Sequence, residues 1–185
     1  HHESDIRVQS QVNALDAAWV AGQTRAESSF MPRARSGADA RGLMQLVPDT
    51  GMRTAKRLGL PWAGAESLYD PATNIRLGTA YMRQMLDRYE GKAYVAIAGY
   101  NAGPAPVGKW SAARGDLDPD FFIESIPWKE TREYVSRVLA FSVMYDWRLN
   151  GKAAPLSDRM RGRLVADPKQ RRPFACPAPT AGAAR

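Results

Sequence analysis

The chain has 185 residues, 44% of them apolar, with a net charge of +7, two histidines and one cysteine. That length fits one globular core; no apolar run approaches the roughly 20 residues needed to cross a bilayer, and Cys176 alone excludes an intramolecular disulfide or a cysteine-based metal cluster. A pI near 9.8 favours anionic polymers, but the basic residues gather only in 161–172 and no nucleic-acid-binding motif accompanies them, so neither nucleic acid nor stable membrane insertion is expected.

Apolar spacing of three and four recurs throughout, with no repeat and no alternating run, so the domain is read as mainly α, with little or no β-sheet. A first helix is predicted over Glu3–Ala14 and a second after Asp16, whose side chain can cap the free amides there. The second carries Trp19, Val20, Gln23 and Glu27 on one stripe and ends near Phe30, because Pro32 disfavours helix in the residue before it. Met31–Gln45, rich in Gly, Ser, Arg and Asp, reads as a loop. Asp49 is read as the cap of a short helix to Leu58, with Gly59 as terminator.

Asp70-Pro71 supplies a cap and a proline at the first helical position, and Ile75, Gly78, Tyr81, Met82, Met85, Leu86 and Tyr89 follow at helical spacing. Gly91 ends that helix, Ala93–Tyr100 forms a helix of small residues, and Asn101–Pro106 breaks it. After a loop to Leu117, Asp118-Pro119 starts a short helix to Glu124. A longer one runs from about Glu130 to Leu149, with Tyr134, Val135, Val138, Leu139, Ser142 and Tyr145 at its apolar positions. Gly151 closes the domain, and Lys152–Arg185, rich in Pro, Ala and Arg, reads as an extended or partly disordered tail.

Both histidines are terminal, which removes Ser-His and Cys-His nucleophile pairs. No acidic cluster has calcium-loop spacing and no Gly-rich phosphate loop precedes a helix, so no metal or cofactor is expected and carboxylates remain as the acid-base groups. Glu27 is favoured among them. It sits in the last turn of a helix, at the negative end of the dipole, with neighbours such as Phe30 to desolvate it; both effects raise a carboxyl pKa. A carboxylic acid kept protonated near neutrality can protonate a glycosidic oxygen. Position alone is weak grounds, since most helical glutamates are solvated or pair with a neighbour such as Arg25.

Glu27 stands within Arg25-Ala26-Glu27-Ser28-Ser29-Phe30, followed by Ser36 and by Gly42-Leu43-Met44-Gln45. Further along come Asp70-Pro71-Ala72-Thr73-Asn74-Ile75-Arg76-Leu77-Gly78, then Tyr100-Asn101-Ala102-Gly103-Pro104, then the block from Glu124-Ser125-Ile126-Pro127-Trp128 through Glu130 and Arg132 to Tyr134-Val135. Five blocks in this order resemble the soluble lytic transglycosylase family. The resemblance implies a lysozyme-like, goose-type helical domain over residues 1–151 with a saccharide groove. It implies a monomer acting on peptidoglycan glycan strands in the periplasm or cell envelope, with an N-terminal domain absent from this chain. It also implies Glu27 as the catalytic residue and Ser36, Met44, Gln45, Tyr100, Asn101 and Glu130 as substrate-binding residues.

Each of these also has a structural reading. Ser36 can be a turn-former, Met44 core packing, and Gln45 either a partner for a buried backbone group or an amide that orients a sugar N-acetyl group. Tyr100 is either a tethered core aromatic or a cleft wall whose phenol holds Glu27 or the leaving oxygen. Asn101 can serve the turn, and Glu130 the acidic start of the last helix. The sequence departs from the family pattern at Thr24, usually apolar; Gly37, where proline is common; Val47, where methionine often lines the groove; Gly99, where alanine usually precedes the tyrosine; and Pro106, where a basic residue is frequent.

Two-carboxylate glycosidases need a second Asp or Glu opposite the acid. None matches in the blocks near Glu27, and Asp39 is the nearest. The resemblance therefore implies a one-carboxylate scheme, in which Glu27 protonates the glycosidic oxygen and then takes the proton of the muramic C6 hydroxyl to give a 1,6-anhydro product. The alternatives are a hydrolytic muramidase and a non-catalytic peptidoglycan-binding module of an envelope assembly.

Overall fold

A computed structural model describes residues 2–161 and the backbone of 172–173. The helices are α1 (Glu3–Val12), α2 (Ala17–Ser28), α3 (Pro48–Arg57), α4 (Pro71–Arg88), α5 (Ala93–Ala102), α6 (Pro104–Arg114), α7 (Pro119–Glu124), α8 (Lys129–Asn150) and α9 (Leu156–Met160). A 3-10 turn spans Ala65–Tyr69, and β1 (Lys152–Ala153) pairs antiparallel with β2 (Arg172–Pro173). The mainly helical reading holds, and no helix among the described residues is long and apolar enough to cross a membrane.

The caps follow from local chemistry. Asp16 accepts from the amides of Ala18 and Trp19 at 3.3 and 3.2 Å, and Asp70 accepts from the Thr73 amide at 2.8 Å with Pro71 following it. Asp49 does not cap α3. The helix starts one residue earlier, at Pro48 behind Val47, because proline needs no amide partner there; Asp49 falls in the first turn and pairs with Arg53 at 2.7 Å.

The predicted break over Asn101–Pro106 is a single residue. Gly103, at φ +84°, turns the chain out of α5, and Pro104 opens α6. The loop expected up to Leu117 is thus mostly α6, an 11-residue helix whose one buried residue, Val107, leaves little apolar period to read.

Helix α5 is buried from Ala93 to Gly99 and packs against α4, α6 and α8. A helix apolar all round belongs at the centre of a core. Helices α2 and α8 lie against each other at backbone distance: a Cβ on Gly22 would come within 2.7 Å of the Ser142 amide nitrogen. That close crossing decides what faces Glu27.

The segment after Gly151 differs from the extended tail expected of it. Leu156–Met160 is helical, and Arg159, 3% exposed, forms ion pairs with Asp16 and Asp146. The Ala154 amide donates to Asp146 at 2.8 Å, closing the return over α8. The rest of the tail reading, residues 162–171 and 174–185, lies outside the described residues.

Candidate active site

Glu27 ends α2 on the floor of a groove of about 560 Å³. Beyond it, Ser29 and Phe30 take positive φ (53° and 63°) and reverse the chain, while the Ser28 hydroxyl donates to the Leu43 carbonyl at 2.7 Å and fastens the helix end to the Gly42–Gln45 loop. Arg25 turns away and sits over the Phe141 ring at 6.0 Å. No ion pair to Glu27 is present among the described residues. Burial pushes its carboxyl up to about 8 from 4.5, against the opposing pull of a Tyr134 hydrogen bond and the more distant charge of Arg137.

The hydroxyl that holds Glu27 belongs to Tyr134, one turn into α8, which donates to Glu27 Oε1. Tyr100, given that role as one option, instead donates to the Met44 carbonyl at 2.8 Å. Burial first, and the Glu27 charge second, hold both phenols well above their usual range, so both remain neutral donors at neutral pH. In the sequence Tyr134 is an apolar position of the last helix and the end of the last family block, without an assigned role. Its sequence signal was the hydroxyl, since a buried tyrosine needs a hydrogen-bond partner; the α2–α8 crossing chooses the partner.

A second anchor is Asn74, fully buried in α4. Its Nδ2 donates to the carbonyls of Arg41 and Leu68 at 2.9 and 2.8 Å, and its Oδ1 accepts the Met44 amide at 2.7 Å. Gly42 lies against this amide at φ +77°, where a Cβ would meet the Leu68 carbonyl at 2.1 Å; only glycine allows that approach. The loop is thereby set so that Gln45 reaches the groove.

Of the sequence-predicted residues, Glu27, Ser36, Gln45, Tyr100, Asn101 and Glu130 all line the groove. Met44 does not. Its side chain is 0% exposed and packs under Gly78, where a Cβ would come within 2.4 Å of its sulfur, so it supports the loop through its backbone. Ser36 is both turn-former and wall: its hydroxyl accepts the Ala40 amide at 3.1 Å. The Gln45 Nε2 donates to the Ala34 and Gly42 carbonyls at 3.1 and 2.9 Å, which leaves its Oε1 as the acceptor for a ligand. Asn101 accepts from the Thr131 hydroxyl at 2.8 Å, tying the end of α5 to the start of α8 beside Glu130.

Val47 lines the groove at the position where the family pattern often has a methionine; Thr50, Arg53 and Tyr81 line it too and were not predicted to bind, since nothing in their local pattern separates a wall residue from a helix surface. Asp39 is removed as a second carboxylate. It lies outside the groove lining, and hydrogen bonds from Arg41 and Arg35 hold its carboxyl below the usual range. Two departures from the family pattern have visible causes: Gly99 makes room for the Tyr89 ring, which would lie 2.7 Å from a Cβ, and the buried Thr24 hydroxyl donates to the Val20 carbonyl at 2.8 Å.

A shielded carboxyl held from behind by the buried Tyr134 phenol, with the Tyr100 ring and an amide acceptor in the same open groove, suits acid catalysis on a polar polymer. Residues 5–123 match the model of the transglycosylase SLT domain, and residues 125–153 that of the soluble lytic transglycosylase helical domain. The soluble lytic murein transglycosylase of Salmonella typhimurium is 39% identical over 136 residues, 72% of this chain and 21% of that protein; the one from Escherichia coli is 37% identical over 141 residues, 75% and 22%. Among solved structures, an inactive mutant of lytic transglycosylase Slt from Pseudomonas aeruginosa superposes with a TM-score of 0.82 at 39% identity, over 86% of this chain and 26% of that one. The 70 kDa soluble lytic transglycosylase of Escherichia coli gives 0.77 at 32%, over 80% and 24%. The chain spans about a fifth to a quarter of the length of these proteins. With the family model covering most of the chain and the lysozyme-like helical fold shared, this chain belongs to the transglycosylase SLT domain family.

Proposed function

We propose that the chain is a peptidoglycan lytic transglycosylase that cleaves the bond between N-acetylmuramic acid and N-acetylglucosamine, with Glu27 as acid and then base. The observation that carries this is the state of Glu27: a carboxyl raised to about 8, facing an open groove and free of any ion pair among the described residues. At neutral pH it holds a proton, which it gives to the glycosidic oxygen as the bond to C1 breaks; the muramic N-acetyl group steadies the positive charge on C1.

The carboxylate so formed is stabilised by the Tyr134 hydroxyl and by the Arg137 charge. It then takes the proton of the muramic C6 hydroxyl, whose oxygen closes on C1. The products are a 1,6-anhydro end and a free N-acetylglucosamine hydroxyl, no water is consumed, and Glu27 recovers its proton. The names of the relatives, murein transglycosylases, support the same substrate class and a place of action at the cell envelope.

A hydrolytic muramidase is the second reading, favoured by one observation: Glu130 lines the same groove and offers a carboxylate to activate water. Mass spectrometry of fragments released from purified sacculi separates the two. Anhydro ends, lighter by one water, support the first, and hydrated reducing ends overturn it. No release at all would leave only a glycan-binding module.

A further inference from the structure

Two side-chain amides line the groove, and the fold turns opposite ends of them toward it. Gln45 spends both Nε2 hydrogens on the Ala34 and Gly42 carbonyls, at 3.1 and 2.9 Å, so the end it offers is an oxygen. Asn101, exposed in the last turn of α5, is held the other way round. Its Oδ1 accepts the Thr131 hydroxyl at 2.8 Å, and its Nδ2 makes no hydrogen bond among the described residues. Thr131 is 1% exposed, so the amide oxygen is drawn inward and the two Nδ2 hydrogens are left to the groove.

The reach of Thr131 across to α5 follows from its place in the chain. A hydroxyl inside a helix commonly bonds the carbonyl four residues back, as those of Thr24, Thr79 and Ser142 do here. Thr131 is the third residue of α8 and has no carbonyl of its own helix four residues back. A buried hydroxyl still needs a partner, and Asn101 supplies it. Glu130, the next residue, lines the same groove, and its negative charge favours the hydrogen end of the amide on that side.

We propose that Thr131 is a positioning residue: it turns the Asn101 amide so that Nδ2 donates to an oxygen of the glycan strand, while Gln45 Oε1 accepts a hydrogen from it. The proposal rests on the substrate class given above. Sugar hydroxyls and N-acetyl groups carry both donors and acceptors, so a wall of fixed polarity favours one way of seating them. An amide free to flip offers either end and has to be ordered on binding, whereas one already held is set beforehand.

The test uses the whole chain carrying Glu27→Gln, to prevent turnover, and soluble glycan fragments freed of their stem peptides. In titration calorimetry Thr131→Val, which keeps the shape and removes the hydroxyl, should bind about five- to tenfold more weakly. Thr131→Ser, which keeps the hydroxyl, should stay within about twofold of the parent. Asn101→Ala should weaken binding by a similar factor to Thr131→Val, and the two together no further; lost packing at the start of α8 would instead add to the Asn101→Ala loss. Thermal melts check that the variants fold. Should Thr131→Val not fold, the exposed Asn101→Asp carries the test. It keeps the oxygen that meets Thr131 and places a second oxygen where Nδ2 stood, so it should bind more weakly than Asn101→Ala. Parent-like affinity in Thr131→Val, a Thr131→Val loss that persists in Asn101→Ala, or Asn101→Asp binding as well as Asn101→Ala overturns the positioning role alone. Failure of the parent to bind, with no release from sacculi by the unmodified chain, overturns the substrate class and the role with it.

Discussion

Two carboxyl groups along the α2–α8 contact are treated in opposite ways. Asp146, 0% exposed, is surrounded by partners: Arg159 as an ion pair, the Ala154 amide at 2.8 Å and the Asn150 amide at 2.7 Å. Burial alone would raise its pKa, yet these contacts together hold it below the ordinary 3.8. Glu27 has one phenol and no direct cation among the described residues, and burial lifts it to about 8. Desolvation acts on both; the supply of donors decides the sign. A carboxylate given enough donors becomes a structural rivet, whereas one left short of them keeps a proton it can give away.

The largest effect should come from Glu27→Gln, which keeps the shape and removes the proton. Fragment release from sacculi is expected to fall by more than about 10³, since in the proposed mechanism one group serves both half-reactions; retention of more than a few per cent of activity would refute the assignment. Its mirror is Arg159→Ala, which takes the Arg159 cation from the buried Asp146 and the half-buried Asp16. A loss of about 3 to 5 kcal/mol in the denaturant unfolding free energy is expected, with the specific activity of the folded fraction retained.

The two carboxyls should also give opposite pH dependences of stability. Glu27 in the native state binds its proton more tightly than the unfolded chain does, so its contribution is complete below 4.5 and is lost as pH rises through about 8. Asp146 contributes above 3.8 and loses that contribution as pH falls through its depressed native value. Stability curves of the parent and Glu27→Gln should therefore diverge between about 4.5 and about 8, the parent falling more steeply; parallel curves would count against a shielded, protonated Glu27.

Tyr134→Phe tests how far the phenol moderates Glu27. Its hydrogen bond favours the ionised form, so removing it should raise the pKa further, move the alkaline limb of the kcat profile upward and cost about tenfold in kcat. A profile that does not move would deny the contact a role. The smallest effect should come from Gly99→Ala, where a methyl meets the Tyr89 ring: about 1 to 3 kcal/mol of stability lost, read as a lower melting temperature with the groove chemistry unchanged.

Much of this was legible before any coordinates. Asp16, Asp70 and Pro71 announce their helices because capping is local chemistry, and the family blocks brought Glu27, Ser36, Gln45, Tyr100, Asn101 and Glu130 to one groove in advance. Where local signals competed, the reading slipped: the glycine and prolines of Gly103–Pro106 hid the start of α6, and Asp49 looked like a cap beside a proline that had already taken the helix start. Met44, quoted for its block, proved to be core.

By itself the sequence determined the helical class, most helix boundaries and which glutamate stands in the family block, because caps, periodicity and motif spacing are properties of neighbouring residues. The tertiary structure alone decided that Tyr134 and not Tyr100 holds Glu27, that Asn74 fastens the Gln45 loop, and that Arg159 reaches back 143 residues to Asp16. Those outcomes depend on how closely α2 crosses α8, how α4 meets the Gly42–Gln45 loop and which polar atoms these contacts shut away from water, and none of that is written in any one stretch of chain.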